Sequence, residues 1–436
     1  MPLLTGRFAV LMGLACLVLP LAPGGSAWLW WLGLNMVLLA MAGLDWALSV
    51  RASYLAVQVD LKGHWVRGEV QTVRLNLENR AGLPVGVTLR QDLPASLGGP
   101  APVTSVACPV GASAIVSYPV TPRERGDHAV GDVHGRWPSR LGLLVMRGLW
   151  PQSVPVRVYA PLYMDRGPGL PSHNVQLQEK GVALRKAGGV QTEFESLREY
   201  REGDDFRAVN WRASARRDRL VVNEYQAERT QQVMLVLDAG RLMVPEYNGV
   251  PRFEYALSAA LQLGRLAAER EDRVGMMLFG GDREAMLLPA RGQAQVARLA
   301  EAAYRVQPQM LEPDYAGAVA RLSGSLKRRS LILFFTDFLS PEASRLLCTE
   351  LQRLVPRHLV VVMAISDPAM TGLARRAPES VADAYKQAAA DWVLEERAGA
   401  RKAIARGGIS VLDVPPHGLS SAALAKYVEV KRRGLL

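Results

Sequence analysis

Apolar positions crowd the start of the chain. Residues 8–22 form an unbroken apolar run holding one proline, Pro20, and residues 27–44 form a second run interrupted only by Asn35. The turn Pro23-Gly24-Gly25-Ser26 separates them. A membrane-spanning helix needs about 20 apolar residues, and ~17 can suffice. Trp28, Trp30, Trp31 and Trp46 bracket the second run, where interfacial aromatics belong. A cleaved signal peptide is the other reading of the first run, with Arg7 ahead of it and a small-residue site at 25–27. The second run starts at that cut and speaks against it. Arg7 precedes the first run, Arg51, Lys62 and Arg67 follow the second, and the turn carries no charge. Positive residues stay inside, so residues 1–52 are expected to form a transmembrane helical hairpin in a bilayer, with both ends cytoplasmic.

From about residue 54 the period becomes two. Val73, Leu75 and Leu77 alternate with Arg74, Asn76 and Glu78, and Val154, Val156 and Val158 alternate with Pro155, Arg157 and Tyr159. Half-buried antiparallel strands at this spacing predict a β-sandwich over residues 53–163. Residues 164–229 read as a connector. From residue 230 to 436 apolar runs alternate with helical periodicity, as in residues 233–237 followed by a helix over 253–271. That alternation predicts a doubly wound α/β domain with a mostly parallel sheet. Three runs end at Asp238, at Thr336-Asp337 and at Ser366-Asp367. Ligands of such sheets bind outside the carboxyl ends of the strands.

The 436 residues are 49% hydrophobic and 21% charged, which excludes a disordered or fibrous chain. A net charge of +11 favours anionic partners, lipid or nucleic acid alike. Cys16, Cys108 and Cys348 have no CxxC or Cys/His spacing, so neither a disulfide scaffold nor a zinc site is expected and a reducing compartment fits. No HExxH and no GxxxxGK[ST] occurs.

The connector ends in an unusual stretch. Between Arg198 and Arg219 it carries seven Arg and five acidic residues. One reading is a salt-bridged surface; the other is a docking element or anion site. Arg198, Arg207 and Arg216 are expected to pair with Glu199, Asp204, Asp205 or Glu224, with Trp211 packed beneath them. The segment EFESLREYREGDDFRAVNWRASARRDRLVVNEYQAER resembles the signature of the bacterial domain-of-unknown-function family 58. The match rests on Glu193, Arg198, Tyr200, Gly203, Asp204, Arg207, Trp211, Ser214 and Arg216, among others. The resemblance implies a β-rich region upstream, a von Willebrand factor A-like domain downstream, and soluble domains on the cytoplasmic face of the bacterial inner membrane. It also implies a MoxR-type AAA+ ATPase as partner and no established enzymatic activity.

Domains of the A type often hold Mg²⁺ on a DxSxS loop, a Thr and a later Asp. Here Asp238 holds the first position, Gly240 and Leu242 replace the serines, Glu312-Pro313-Asp314 stands near the expected Thr, and Asp337 matches the last Asp. Without the hydroxyls, no specific metal and no cofactor is expected; Asp238, Asp314 and Asp337 are degenerate candidates. The expected function is a non-enzymatic interaction or scaffold protein. The alternatives are a metal-dependent hydrolase using the same aspartates and an anionic-ligand or nucleic-acid binder using the Arg-rich stretch. No nucleophile–base pair supports the first, and interleaved acids dilute the field for the second, so no nucleic acid is expected.

Overall fold

The computed structural model describes residues 3–16, 27–61, 63–161, 193–200, 209–217, 219–226, 230–338 and 341–436. The chain divides into two compact units, Met1–Pro161 and Leu162–Leu436.

The first unit begins with β1 (Leu3–Leu4) and helices α1 (Gly6–Cys16) and α2 (Ala27–Leu48). The apolar run of α2 makes a helix of 22 residues, about 33 Å at 1.5 Å per residue. It is long and apolar enough to cross a membrane. Trp30, Met36, Val37, Leu39 and Leu44 are exposed around it, whereas a core helix would bury such residues. The first expected helix is described only as far as Cys16; the rest of that run lies outside the described residues.

Ten strands follow: β2 (Leu55–Asp60), β3 (His64–Val66), β4 (Gln71–Asn79), β5 (Val85–Gln91), β6 (Thr104–Cys108), β7 (Ser113–Val120), β8 (Gly126–Val130), β9 (Val133–Pro138), β10 (Leu144–Trp150) and β11 (Val154–Tyr159). They form three sheets, in the orders β1-β10-β9-β5-β6, β2-β4-β7 and β3-β11-β8. The alternation seen in sequence has a single purpose. Val73, Leu75, Leu77, Val87, Leu89, Val156 and Val158 point into one core around Trp65 and Trp137.

One loop ties the helices to this body. Thr5 donates through its backbone N–H to the Leu143 carbonyl at 3.0 Å and through its hydroxyl to the Gly142 carbonyl at 3.0 Å. At the far end of α2, the buried Asp45 accepts from the Ser139 hydroxyl and from the N–H groups of Leu141 (2.7 Å) and Leu143 (3.2 Å). The start of α1 and the end of α2 are therefore fastened to the same loop, residues 139–143.

In the second unit β12 (Glu193–Glu199) pairs antiparallel with β13 (Val221–Gln226), and α3 (Trp211–Arg217) lies between them in sequence. Then come β14 (Gln232–Asp238), the short hairpin β15 (Glu246–Tyr247) and β16 (Val250–Pro251), α4 (Arg252–Glu269), β17 (Arg273–Phe279), β18 (Ala285–Ala290), α5 (Gln293–Ala303), α6 (Tyr315–Ser325), β19 (Leu331–Phe335), α7 (Pro341–Gln352), β20 (Leu359–Ile365), α8 (Pro368–Arg375), α9 (Val381–Arg406), β21 (Ser410–Val414) and α10 (Leu419–Arg433). The sheet order is β18-β17-β14-β19-β20-β21. Only β18 runs antiparallel to its neighbour. Met234 and Val236 face α6, α7 and α9 across one core. On the other side, Leu235 approaches Gly264 of α4. Both faces of the sheet are covered, so its strands read as continuous apolar runs.

Candidate functional site at the carboxyl edge of the sheet

Counted from β14, the strand order is 3-2-1-4-5-6. In a doubly wound sheet the ligand crevice opens where that order reverses, which here is between β14 and β19. Asp238 ends β14, and Thr336 and Asp337 follow β19, so both expected aspartates stand at that point.

Asp238 is fully buried. One carboxylate oxygen accepts from the Gly240 N–H at 2.7 Å. The other accepts from the hydroxyls of Thr336 at 2.6 Å and Tyr315 at 3.0 Å. Burial raises the Asp238 pKa above the ordinary carboxylate value, and the three donors pull against that rise. Burial, with Asp238 beside it, also pushes the Tyr315 phenol up.

Asp337 is the centre of a buried ion network. Arg252 Nη1 donates to one of its oxygens at 2.5 Å and Arg397 Nη1 to the other at 2.5 Å, where the Phe338 N–H also donates, at 2.9 Å. Arg252 reaches on to Asp367 at 3.1 Å. Arg397 grips Asp413 with two bonds, at 3.1 and 2.8 Å, and its guanidinium lies 4.9 Å from the Phe338 ring centroid. Burial raises the Asp337 pKa, and the two guanidinium groups counter it. For Arg397, burial disfavours the charge, but Asp337 and Asp413 outweigh it and the pKa rises. One hub thus joins the start of α4, the end of β19, the loop after β20, α9 and β21.

The donor set does not fit the divalent cation of the A-type loop. Both oxygens of Asp238 and of Asp337 are already engaged, those of Asp337 by internal cations. At position 240 a Cβ would come within 2.9 Å of the Leu311 carbonyl oxygen and of Pro313 Cδ. The 311–313 loop leaves no room for a serine there. Leu242 is buried in a short 3-10 turn. Asp314 does not join the other aspartates; it caps α6 by accepting from the Gly317 N–H at 2.9 Å.

Sequence reasoning missed Arg252, Arg397, Asp413 and Tyr315. Two of them, Arg252 and Asp413, stand out locally, though nothing local says what they pair with. An Arg in the first helical turn opposes the helix dipole, and an Asp inside a strand goes against strand propensity.

The Arg-rich segment differs from expectation at Trp211, and most of the expected pairs fall outside the described residues. Gly203, Asp204, Asp205 and Arg207 lie outside the described residues, as do the side chains of Glu193, Arg198 and Glu224. Trp211 is 63% exposed rather than packed beneath arginines. It opens α3 on the outward side, and the inward side is taken by Ser214, whose hydroxyl accepts from the Val221 N–H at 2.9 Å and donates to the Asn210 carbonyl at 2.8 Å. Asn210 caps α3 through the Ala213 N–H at 3.0 Å. Among the described residues, Glu199 pairs with Arg219 on the surface. Arg216 is exposed, and Tyr200 is half-buried with its N–H on the Leu220 carbonyl at 3.0 Å.

These features define a protein with one long apolar helix, a strand-rich body of several sheets and an α/β sheet whose strand-end carboxylates are held by its own arginines. Residues 196–409 match the family described as protein of unknown function DUF58, and the chain belongs to that family. Over 128 residues it is 29% identical to the uncharacterized protein YeaD of Bacillus subtilis, covering 29% of this chain and 31% of that protein. Over 184 residues it is 26% identical to the uncharacterized protein Rv1480 of Mycobacterium tuberculosis, covering 41% of this chain and 56% of that protein. The chain thus spans about a third and about half of these relatives' lengths. A solved CARDB domain from Pyrococcus furiosus covers 25% of this chain and 92% of its own, at 12% identity and a TM-score of 0.18.

Proposed function

We propose that the chain is a membrane-anchored, cytoplasm-facing interaction protein, without enzymatic activity of its own. Its α/β domain, of von Willebrand factor A type, docks protein partners, a MoxR-type AAA+ ATPase among them. The observation that carries this reading is the Asp337 hub. It occupies the place where a doubly wound sheet would hold a ligand or metal, and it fills that place with Arg252 and Arg397. A carboxylate locked between two guanidinium groups is neither a base nor a metal ligand, but it fixes the geometry of five elements at one edge. A rigid edge suits docking. The exposed apolar surface of α2 supports the anchor.

The test is a pull-down of the full chain from detergent-solubilised membranes, read by mass spectrometry. An AAA+ ATPase enriched with the intact chain, and lost with an Arg397→Ala variant that still folds, is the expected result. Enrichment of no ATPase would sink the docking reading.

A further inference from the structure

Helix α8 and the start of α9 are barely held by the rest of the α/β unit. No residue of α8 is buried, and neither is any of residues 381–389. The two helices touch each other, with Gln387 Nε2 donating to the Ala374 carbonyl at 3.1 Å. Helices this short are marginal in water, and a packed apolar face normally holds them. Here large apolar side chains point outward instead. Val381 and Tyr385 are each 75% exposed, and Trp392 is 64% exposed.

At about 100° per residue, Val381, Tyr385, Ala388 and Trp392 fall within ~60° of one another. They make one stripe, away from the buried Ala390, Arg397, Ala400 and Ile404 of the same helix. A Tyr and a Trp with small residues between them have the make-up of an interface centre. The charges beside the stripe are divided by sign. Asp391, Glu395 and Glu396 follow its far end, and none has a cation partner among the described residues. At the near end Arg376 pairs with Glu379 at 3.1 Å and Lys386 with Asp383 at 3.6 Å. That leaves a positive balance there, from Arg375 and from the N-terminus of α9.

We propose that α9 pairs antiparallel with α9 of a second copy of this chain, about a two-fold axis between Ala388 and Ala389. The stripe is complementary to itself in that arrangement alone. Tyr385 of each copy meets Trp392 of the other, the alanines lie at the closest approach, and each contact occurs twice. Glu395 and Glu396 come over the second copy's α9 N-terminus, whose first N–H groups lack acceptors within the helix. A parallel pair would set acids against acids. An anionic bilayer is disfavoured by the same three carboxylates.

The test is oxidative cross-linking of the full chain in whole-cell lysate, so that the outcome does not depend on the membrane anchor. A Cys16→Ser background leaves only the buried Cys108 and Cys348. Ala388→Cys is oxidised with copper phenanthroline, and dimer is read by immunoblot after non-reducing electrophoresis. Helices packed through alanines lie ~8 Å apart, which brings facing Cα atoms within disulfide reach. A dimer is expected from Ala388→Cys. None is expected from Lys402→Cys, because the two Lys402 positions of an antiparallel pair lie about 40 Å apart along the helices. Trp392→Glu should cut the cross-linked fraction at least about tenfold. If that variant fails to fold, the comparison of Ala388→Cys with Lys402→Cys still decides. Absence of the Ala388→Cys dimer overturns the inference. So does equal cross-linking from both positions, which marks collision or a parallel pair. A bimane label on Ala388→Cys that spin-labelled lipid quenches, with no dimer formed, would give the face to the bilayer instead.

Discussion

Arg397 shows how much one side chain can hold. It bonds Asp337, Asp413 and the Phe338 carbonyl from a helix that begins at Val381. Removing one partner of a buried pair leaves an uncompensated charge, at a typical cost of ~3–5 kcal/mol. Arg397→Ala is therefore expected to lower the urea midpoint with little change in slope. Adding Asp413→Asn should return part of the loss, because Arg252 still holds Asp337 while Asp413 is the charge left stranded. Strictly additive losses would show that the pair is not coupled. Asp238 gives a different signature. Its folded pKa is raised by burial, so the folded state binds the proton more tightly than the unfolded chain, whose Asp value is ~3.9. The resulting stability is fully present below ~3.9 and is lost as pH rises through the raised folded value. Wild type minus Asp238→Asn, followed by chemical denaturation across mildly acid pH, should show stability rising on acidification. A flat difference would mean that Asp238 carries its ordinary pKa. The two aspartates could be picked out from sequence because each follows an apolar run. Their cations could not, because Arg252 and Arg397 lie 85 and 60 residues away from Asp337. No local pattern encodes a contact at that separation.

Elements were legible where burial follows their period. The strands of the β-rich unit alternate and face one core, hydrogen-bonded as three sheets. The core strands β14, β19 and β20 are covered on both faces and so read as apolar runs. Helix α9 escaped for the opposite reason. Its buried positions are Ala390, Arg397, Ala400 and Ile404, while Val381, Tyr385 and Trp392 face outward. A hydrophobic pattern is no guide when the buried face is small or charged. Strand β1 escaped because two apolar residues ahead of Arg7 are too short to show a period, yet Leu3 and Leu4 pair with Val145 and Leu144. At this scale Asp45 is the joint between α2 and the sheets. Asp45→Ala strands two backbone N–H groups and the Ser139 hydroxyl, at ~1–3 kcal/mol for each group left buried and unsatisfied. The expected result is a loop at 139–143 that proteases cleave readily in detergent, with Asp45→Asn intermediate. Unchanged cleavage would mean the loop is held by β9 and β10 alone.

At the scale of the whole molecule, the order of a helical region, a β-rich region and an α/β region was legible because each has its own period. The closing of the α/β crevice by arginines was not, since it depends on three-dimensional placement. The proposed orientation rests on charge and on the 139–143 loop together. Arg7 and Arg51 flank the apolar runs, and cationic flanks stay cytoplasmic. The loop binds Thr5 and Asp45 alike, so the entry to α1 and the exit from α2 lie on one side of any bilayer that α2 crosses. Both units should then face the cytoplasm. Cys108 and Cys348 are free and buried, whereas Cys16 is exposed. A Cys16→Ser background therefore offers little thiol to a membrane-impermeant maleimide, and Lys327→Cys adds one exposed position in the α/β unit. No labelling is expected in intact cells, with full labelling after the membrane is permeabilised. Labelling before permeabilisation would put the α/β unit outside. It would also break the link between the cationic flanks and the cytoplasmic face, on which the ATPase partner depends.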